Sequence, residues 1–391
     1  MRDLLPTDFL RAEAGGGLAL LLGSVVALVW VNLLDASGYL SFWATHINIG
    51  IGDASIDESL AHWVNDGLMT FFFFLISLEI KRELVTGELR HPKRAALPII
   101  AALGGVVTPI AIFLAVSGGH NASGWGIPMA TDAAFAIGVL ALLGDRVGVG
   151  VKLFLVTIAV VDDVAAILVI AIAYTDHLSL GWLELAVAGL VGVIAMRLLG
   201  ARRILVFVPI GIFVWVATLE SGVHATLAGV TLALITPAKP VGGRDVLGEL
   251  EHRLHPWVNY AILPLFALAN AGVKLGGGEL SDSAGRRIAL AVALGLVLGK
   301  FIGIAGATLA ALKLRLGALP AGVDTGGLLG AAALGGIGFT VSLFITPLAY
   351  DDPLLIGAAK IGILGGSVVS AAIGIAIFAA RGVHPSREEG G

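Results

Sequence analysis

The sequence predicts an all-helical integral membrane protein of about twelve transmembrane helices. Three observations support this class: 57% of the 391 residues are hydrophobic, only 13% are charged, and long apolar stretches alternate with short polar breaks. Soluble domains carry roughly 25% charged residues, whereas a spanning helix needs about 20 mostly apolar residues. No soluble catalytic domain and no basic nucleic-acid patch is visible, so we expect neither an enzyme nor a nucleic-acid-binding protein.

The apolar stretches define the spans in chain order within one predicted transporter domain, 1–391. The first stretch has no small-residue cleavage site after a compact apolar core, which favours a retained helix over a signal peptide. The 54 glycine residues suit close helix packing in lipid. The predicted spans are 12–34, 60–85, 95–117, 123–143, 150–175, 180–199, 203–219, 222–236, 256–273, 287–312, 326–350 and 356–381.

Most Lys and Arg residues lie in every second loop. Arg2 precedes the first span, Lys81 and Arg82 begin the basic segment after the second, and the alternation continues to the last span. Cytoplasmic loops of membrane proteins are enriched in Lys and Arg, so we expect both termini in the cytoplasm. The loop that holds Arg286 and Arg287 is the one poor fit to this pattern.

Two connections between spans have a recognisable character. The predicted periplasmic connection 45–58 alternates isoleucine with smaller or polar residues, and Asp53 and Ala54 mark a turn. This alternation predicts a small β-hairpin, with an irregular loop as the alternative. The isoleucines are Ile47, Ile49 and Ile51. The segment 237–255 is polar, and we interpret it as a cytoplasmic linker.

Ionisable residues inside the predicted spans are the main functional signal, because a charge at membrane depth is costly and is a functional hypothesis by default. Asp132 lies in the fourth span, Asp162 and Asp163 in the fifth, and Lys300 in the tenth. Neighbouring helical residues point about 100° apart, so one of the paired aspartates can face a hydrated cavity while the other pairs with Lys300. A structural salt bridge is the alternative, but the charges do not cancel.

Two of the spans are predicted to be interrupted. Pro128 removes a backbone donor from the fourth span, and a glycine cluster loosens the eleventh. The glycines are Gly335, Gly336 and Gly338. Broken backbone at membrane depth is tolerated where it is buried or lines a cavity. If the breaks cross, Asp132 would compensate one set of helix ends and Lys300 the other; the alternative is that Pro and Gly are simply common in membrane helices.

This cluster has a simple chemical consequence. A hard cation such as Na⁺ prefers oxygen ligands, and paired carboxylates in a low dielectric hold protons more tightly. Such a site binds either a proton or a cation, since each expels the other. Competition at one site that opens alternately to each side is sufficient for antiport.

The motifs around these residues resemble the NhaA family of bacterial sodium/proton antiporters, and the likeness runs from about residue 10 to residue 380. They are MATDAAFAIG (129–138), VVDDV (160–164), SGVHATLAG (221–229), LHPWVNY (254–260), GIGFT (336–340), NDGLM (65–69) and LEIKREL (78–84). The resemblance implies a location in the bacterial inner membrane and crossing interrupted helices at the fourth and eleventh spans. It also implies that about 95–175 is repeated in inverted form as about 287–381.

The resemblance further implies the roles of individual residues. Asp163 would be the main cation ligand and proton carrier, Asp162 would pair with Lys300, and Thr131 and Asp132 would lie at the break in the fourth span. Exchange would be electrogenic, Li⁺ would substitute for Na⁺, and no cofactor would be needed. Ala165 stands where family members often carry glycine, so packing beside the carboxylates is expected to differ.

Regulation and assembly are also implied by the resemblance. Five residues match positions tied to activation by pH: Glu79, Arg82, Glu83, His224 and Glu251. The alternatives are an ordinary charged helix end for the first three and a hydrogen-bonded packing histidine for His224. The hairpin 45–58 resembles the contact of a homodimer.

Three other functional classes are alternatives to an antiporter. An intramembrane aspartyl protease needs two carboxylates that meet across a peptide, which adjacent aspartates on one helix do not provide. A passive channel fits poorly with a buried Asp and Lys pair. A Na⁺-coupled symporter of similar architecture is the strongest rival, because the sequence does not exclude an organic-substrate cavity.

Overall fold

The computed structural model describes residues 7–51, 54–119, 121–175, 178–201, 203–240, 242–276 and 278–381. These residues are mostly helical, which confirms the predicted all-α membrane class. The α-helices, in chain order, are α1 (Thr7–Val29), α2 (Ala36–Trp43), α3 (Leu60–His62), α4 (Met69–Val85), α5 (Pro92–Ser117), α6 (Ala133–Leu142), α7 (Val149–Ala173), α8 (Leu180–Leu198), α9 (Ile204–Glu220), α10 (Thr226–Ile235), α11 (Val246–Trp257), α12 (Leu263–Asn270), α13 (Ser283–Leu294), α14 (Lys300–Lys313), α15 (Thr325–Leu334), α16 (Phe339–Ala349) and α17 (Pro353–Ala380).

Shorter helical segments complete several of the spans. Within the described ranges, the π-helical segments are Trp30–Leu34, Trp63–Leu68, Val258–Ile262 and Gly295–Gly299. The 3₁₀ segments are Glu88–Arg90, Ala122–Met129, Gly144–Arg146 and Gly278–Leu280. The π-helical segments follow or precede α-helices without a gap, so they extend those spans through the membrane.

Helices occupy each of the twelve predicted spans. Within the described residues, seven helical stretches are long and apolar enough to cross a membrane, and an eighth is added if the bent pair α15 and α16 counts as one span. α9 and α10 are apolar but shorter. The count of twelve therefore remains a prediction.

The described residues divide into two compact units, and the first contains those that lie within Met1–Leu21, His91–Ala166 and Val273–Gly391. Within this unit α5 packs against α14. A β-carbon at Gly104 would collide with the backbone of Gly303, and one at Gly303 with that of Gly104. Glycine therefore lets these two backbones approach closely, as small residues do in membrane helix pairs.

Two spans of this unit are broken. The 3₁₀ segment Ala122–Met129, which holds Pro128, passes into an extended stretch before α6 begins. α15 ends at Leu334, α16 begins at Phe339, and their axes differ by 41°. Gly335 and Gly338 have ordinary negative φ values of −59° and −95°. These glycines are therefore not required by unusual backbone angles. Their lack of a side chain lets neighbouring helices approach closely at the break.

The second unit contains Leu22–Arg90 and Ile167–Gly272. Its hairpin pairs strand β1 (His46–Ile51) with strand β2 (Ala54–Ser59) in antiparallel register, with Ile49 opposite Ile56. The predicted turn residue Asp53 lies outside the described residues. The segment 237–255 is not wholly irregular, because α11 begins within it, where the Asp245 side chain accepts a hydrogen bond from the Gly248 N–H.

Candidate functional site

Asp132 lies where the two broken spans meet. Its backbone N–H donates to the Ile337 carbonyl at 2.6 Å. One carboxylate oxygen, Oδ1, accepts from the Phe135 N–H at 2.9 Å, and Oδ2 accepts from the Thr340 N–H at 3.0 Å. The side chain is 2% exposed. One carboxylate therefore caps the N-termini of both α6 and α16, where helix dipoles favour negative charge.

Lys300 forms a fully buried ion pair with Asp162. The ammonium Nζ lies 2.5 Å from Asp162 Oδ2, and both side chains are 0% exposed. The Lys300 ammonium donates to Asp162, and the expectation that it also compensates one set of helix ends at the breaks stays a prediction. The contact agrees with the role that the family resemblance implied for Asp162.

Thr131 connects this ion pair to the broken eleventh span. Its hydroxyl Oγ1 lies 2.6 Å from Asp162 Oδ2 and 2.8 Å from the carbonyl oxygen of Gly335. A hydroxyl carries a single proton, so with an ionised Asp162 it donates to only one of these oxygens at a time. Thr131 is 1% exposed, so water does not substitute freely for either bond.

Asp162 and Asp163 have different surroundings, although they are neighbours on α7. Asp162 Oδ1 is buried and has no hydrogen-bond partner within the described part of the chain. Asp163 is 7% exposed, against 0% for Asp162, and interacts electrostatically with Lys300. This difference follows from their angular separation of about 100° on the helix. Asp162 thus holds the lysine, while Asp163 is the less enclosed carboxylate.

The ligands that this cluster offers are oxygens, from carboxylate, hydroxyl and backbone carbonyl groups. Among the described residues, no group of three or more His, Cys, Asp and Glu side chains forms a complete metal cage. A cation beside Asp163 and Asp162 would therefore complete its coordination with hydroxyl, carbonyl or water oxygens. With three aspartates and one lysine, the cluster keeps a negative excess that a proton or a monovalent cation would reduce.

The residues matched to pH activation are partly brought together. Arg82 on α4 donates to Glu251 Oε2 on α11 at 2.7 Å. Burial raises the pKa of Glu251 above its ordinary value, and the Arg82 guanidinium acts in the opposite direction. Glu79 and Glu83 lie on the same helix as Arg82 and are half-buried.

His224 has surroundings of another kind. It is half-buried, and its Nε2 lies 2.7 Å from the Tyr174 carbonyl oxygen. That contact is compatible with the packing histidine considered above. It gives no direct link to the Arg82 and Glu251 pair.

Two further residues at the crossing were not singled out from the sequence. The Thr340 N–H reaches Asp132, and the Ser342 hydroxyl donates to the Ile127 carbonyl at 2.7 Å. Both join the fourth span to the eleventh. The GIGFT motif contains Thr340, but its partner is apparent only once the two breaks are brought together in space.

Comparison with known proteins gives consistent relatives. A family model described as Na⁺/H⁺ antiporter 1 matches residues 7–378. The Na(+)/H(+) antiporter NhaA of Pseudomonas putida (strain GB-1) is 47% identical over 384 residues, covering 97% of this chain and 98% of the relative. The Na(+)/H(+) antiporter NhaA 2 of Erythrobacter litoralis is 45% identical over 372 residues, covering 95% and 92%. The Na(+)/H(+) antiporter NhaA of Campylobacter concisus is 44% identical over 376 residues, covering 95% and 91%.

Proposed function

This chain belongs to the Na⁺/H⁺ antiporter 1 family, and we propose that it exchanges Na⁺ for H⁺ across the bacterial inner membrane as a secondary transporter. The observation that carries the proposal is the buried cluster in which Asp162 contacts Lys300 and Thr131 beside Asp163. The rival Na⁺-coupled symporter is not supported, since the relatives are antiporters.

Competition for Asp163 is the core of the proposed cycle. When Asp163 is ionised, it attracts Na⁺ into a cluster with few other cations. When protons bind, the negative excess falls and Na⁺ leaves. Because these events exclude each other, a site that opens to one side at a time moves Na⁺ one way and protons the other. Li⁺ would use the same oxygen ligands, and transport of more protons than Na⁺ ions would make exchange electrogenic.

Asp132 has a structural role in this proposal. Its two carboxylate oxygens accept the N–H groups of Phe135 and Thr340, so they are already engaged with the ends of α6 and α16. This charge keeps the crossing fixed while the neighbouring carboxylates exchange their ligands.

Thr131 would couple the protonation of Asp162 to the broken helix. While Asp162 is ionised, its Oδ2 accepts from both Lys300 and Thr131. Once Asp162 is protonated, its own O–H can donate to Thr131 Oγ1, and the threonine proton then turns to the Gly335 carbonyl. A change of charge at Asp162 would therefore change the hydrogen bonding of the Gly335 carbonyl at the C-terminus of α15.

Regulation by pH is assigned to the Arg82 and Glu251 pair, with Glu79 and Glu83 as neighbours on α4 and His224 as a separate candidate. Burial of Glu251 beside a guanidinium makes its ionisation sensitive to small shifts in helix packing. A homodimer through the hairpin is proposed because Ile47 and Ile49 of β1 are 42% and 58% exposed.

The test is cation-dependent collapse of a pH gradient in everted membrane vesicles, followed with a fluorescent probe. Na⁺ and Li⁺ should dissipate the gradient with the wild type and not with Asp163→Asn, while K⁺ has no effect. Asp282→Asn is the matched control, because that exposed carboxylate only caps α13. If Asp163→Asn exchanges like the control, Asp163 is not the carrier; if the wild type moves no protons at any pH, antiport is wrong.

A further inference from the structure

Two serine hydroxyls on α17 are buried without a hydrogen-bond partner within the described part of the chain. Ser367 is 3% exposed and Ser370 is 1% exposed, and the Oγ atom of each has no partner. A buried hydroxyl in this state is unfavourable, and in native proteins it usually indicates an ordered water or an ion. Neither serine belongs to the carboxylate cluster described above.

Other buried hydroxyls in these helices satisfy themselves locally. Thr308 donates to the carbonyl four residues earlier on α14 at 2.7 Å, and Thr157 does the same on α7 at 2.9 Å. That bond is the ordinary solution for a hydroxyl inside a helix. Because Ser367 and Ser370 do not use it, their hydroxyls remain free to bind something between the helices.

Ser370 lies against the break between α15 and α16. A β-carbon added at Gly336 would collide with both the Ser370 hydroxyl and the Leu296 carbonyl oxygen. The preceding residue, Gly335, accepts the Thr131 hydrogen bond that leads to Asp162. The Ser370 hydroxyl therefore lies against Gly336, which is the next residue after the one that accepts the Thr131 hydrogen bond.

The residue that supplies the carbonyl beside Gly336 precedes Lys300 on the same span. Leu296 lies in the π-helical segment Gly295–Gly299, one turn before Lys300. Long helical side chains lean back over the turn that precedes them. π-Helical turns redirect backbone carbonyls and often occur at functional sites. Ser370 and the Leu296 carbonyl therefore meet at Gly336, and Ser367 lies one turn before Ser370 on α17.

From this geometry we propose that Ser367 and Ser370 form a buried water-binding site that hydrates the transported cation from behind the break. Neutral hydroxyl and carbonyl groups suit a water molecule with two to four polar partners. The inference rests on the proposed exchange site. Its role is to keep Na⁺ partly hydrated, and so to lower the KM for Na⁺.

Single-cysteine labelling tests the site directly, because the chain contains no cysteine. Ser367→Cys and Ser370→Cys are treated in membranes with the water-soluble reagent 2-aminoethyl methanethiosulfonate. Thr308→Cys is the control, since it is equally buried but its hydroxyl is satisfied within its own helix. We expect the serine positions to react at least about tenfold faster than the control, and saturating Na⁺ to slow them. Equal rates, or rates that Na⁺ leaves unchanged, overturn the proposal.

A double variant distinguishes a failure of this inference from a failure of the proposed function. In Ser370→Cys combined with Asp163→Asn, labelling should continue but Na⁺ should no longer slow it. If Na⁺ still protects the cysteine there, the assignment of the cation to Asp163 fails while the water site stands. Because a cysteine sulfur is larger than a serine oxygen, the smaller change Ser367→Ala with Ser370→Ala is measured as well, and it should raise the KM for Na⁺ about two- to tenfold. An unchanged KM contradicts the proposal.

Discussion

Replacing Asp132 by Asn tests whether one carboxylate holds both broken spans. The two oxygens of Asp132 accept the N–H groups of Phe135 and Thr340 in a site that is 2% exposed. Asparagine offers one acceptor oxygen and an NH₂ group that only donates. One of the two helix N-termini must therefore face a donor instead of an acceptor.

The expected loss follows from two contributions. A buried N–H left without an acceptor costs about 1–3 kcal/mol. Removal of the negative charge from two helix N-termini costs about 0.3–1 kcal/mol at each. Together they predict that Asp132→Asn lowers the free energy of unfolding by about 2–5 kcal/mol.

The assay is thermal unfolding of the purified protein in detergent, with Asp324→Asn as the matched control. Asp324 caps only α15, through the Gly327 N–H at 2.8 Å, and its side chain is 55% exposed. Asparagine caps a helix about as well as aspartate. The ion pair of the exposed Asp324 carboxylate with Arg381 contributes little, so the control should lower the free energy of unfolding by no more than about 1 kcal/mol. If both variants unfold at the same temperature, the double cap does not carry the stability assigned to it.

Three further predictions concern the ion pair, its threonine neighbour and the cytoplasmic pair. Lys300→Met should destabilise the protein by about 3–5 kcal/mol, because it leaves Asp162 as an unpaired buried charge. In thermal unfolding, a Lys300→Met and Asp162→Leu double variant should regain the lost stability, although it should still transport nothing. Thr131→Val should lower exchange by at least about tenfold in vesicles and Thr131→Ser much less, since only the hydroxyl is required; equal losses would assign Thr131 to packing. Because the pKa of Glu251 is raised, the stability that its protonation contributes is present below about pH 4.5 and is lost as the pH rises through the raised value. Glu251→Gln should therefore flatten the pH profiles of unfolding and of exchange. An unchanged profile would exclude the Arg82 and Glu251 pair as a pH-sensitive element.

The spans and the breaks were predictable because they depend on local properties. Apolar length predicts where helices cross the membrane, and Pro128 and the glycines predicted where two of them stop. The reason for the glycines was only partly apparent. The sequence predicts only that the glycines loosen the helix. At Gly336, a side chain would also collide with Ser370 and Leu296, which are distant in sequence.

The pairings inside the site depend on contacts that sequence periodicity does not encode. The sequence predicts that Asp132 compensates one set of helix ends, but it does not show that one oxygen of this carboxylate accepts from Thr340, which lies more than 200 positions away. The Arg82 and Glu251 contact spans 169 positions, and the family resemblance only grouped the two residues as candidates for activation by pH. Ala165, the departure from the family pattern, is half-buried, so its methyl group is accommodated beside the carboxylates.

Proton release on addition of Na⁺ tests the central claim most directly. Purified wild-type protein in weakly buffered detergent solution, held near the pH at which exchange begins, is mixed with NaCl while the proton concentration is recorded and ²²Na⁺ binding is measured in parallel. Competition at Asp163 predicts that protons appear as Na⁺ binds and that Asp163→Asn shows neither event. Binding of ²²Na⁺ without proton release would contradict the account, because Na⁺ and H⁺ would then not compete for one site.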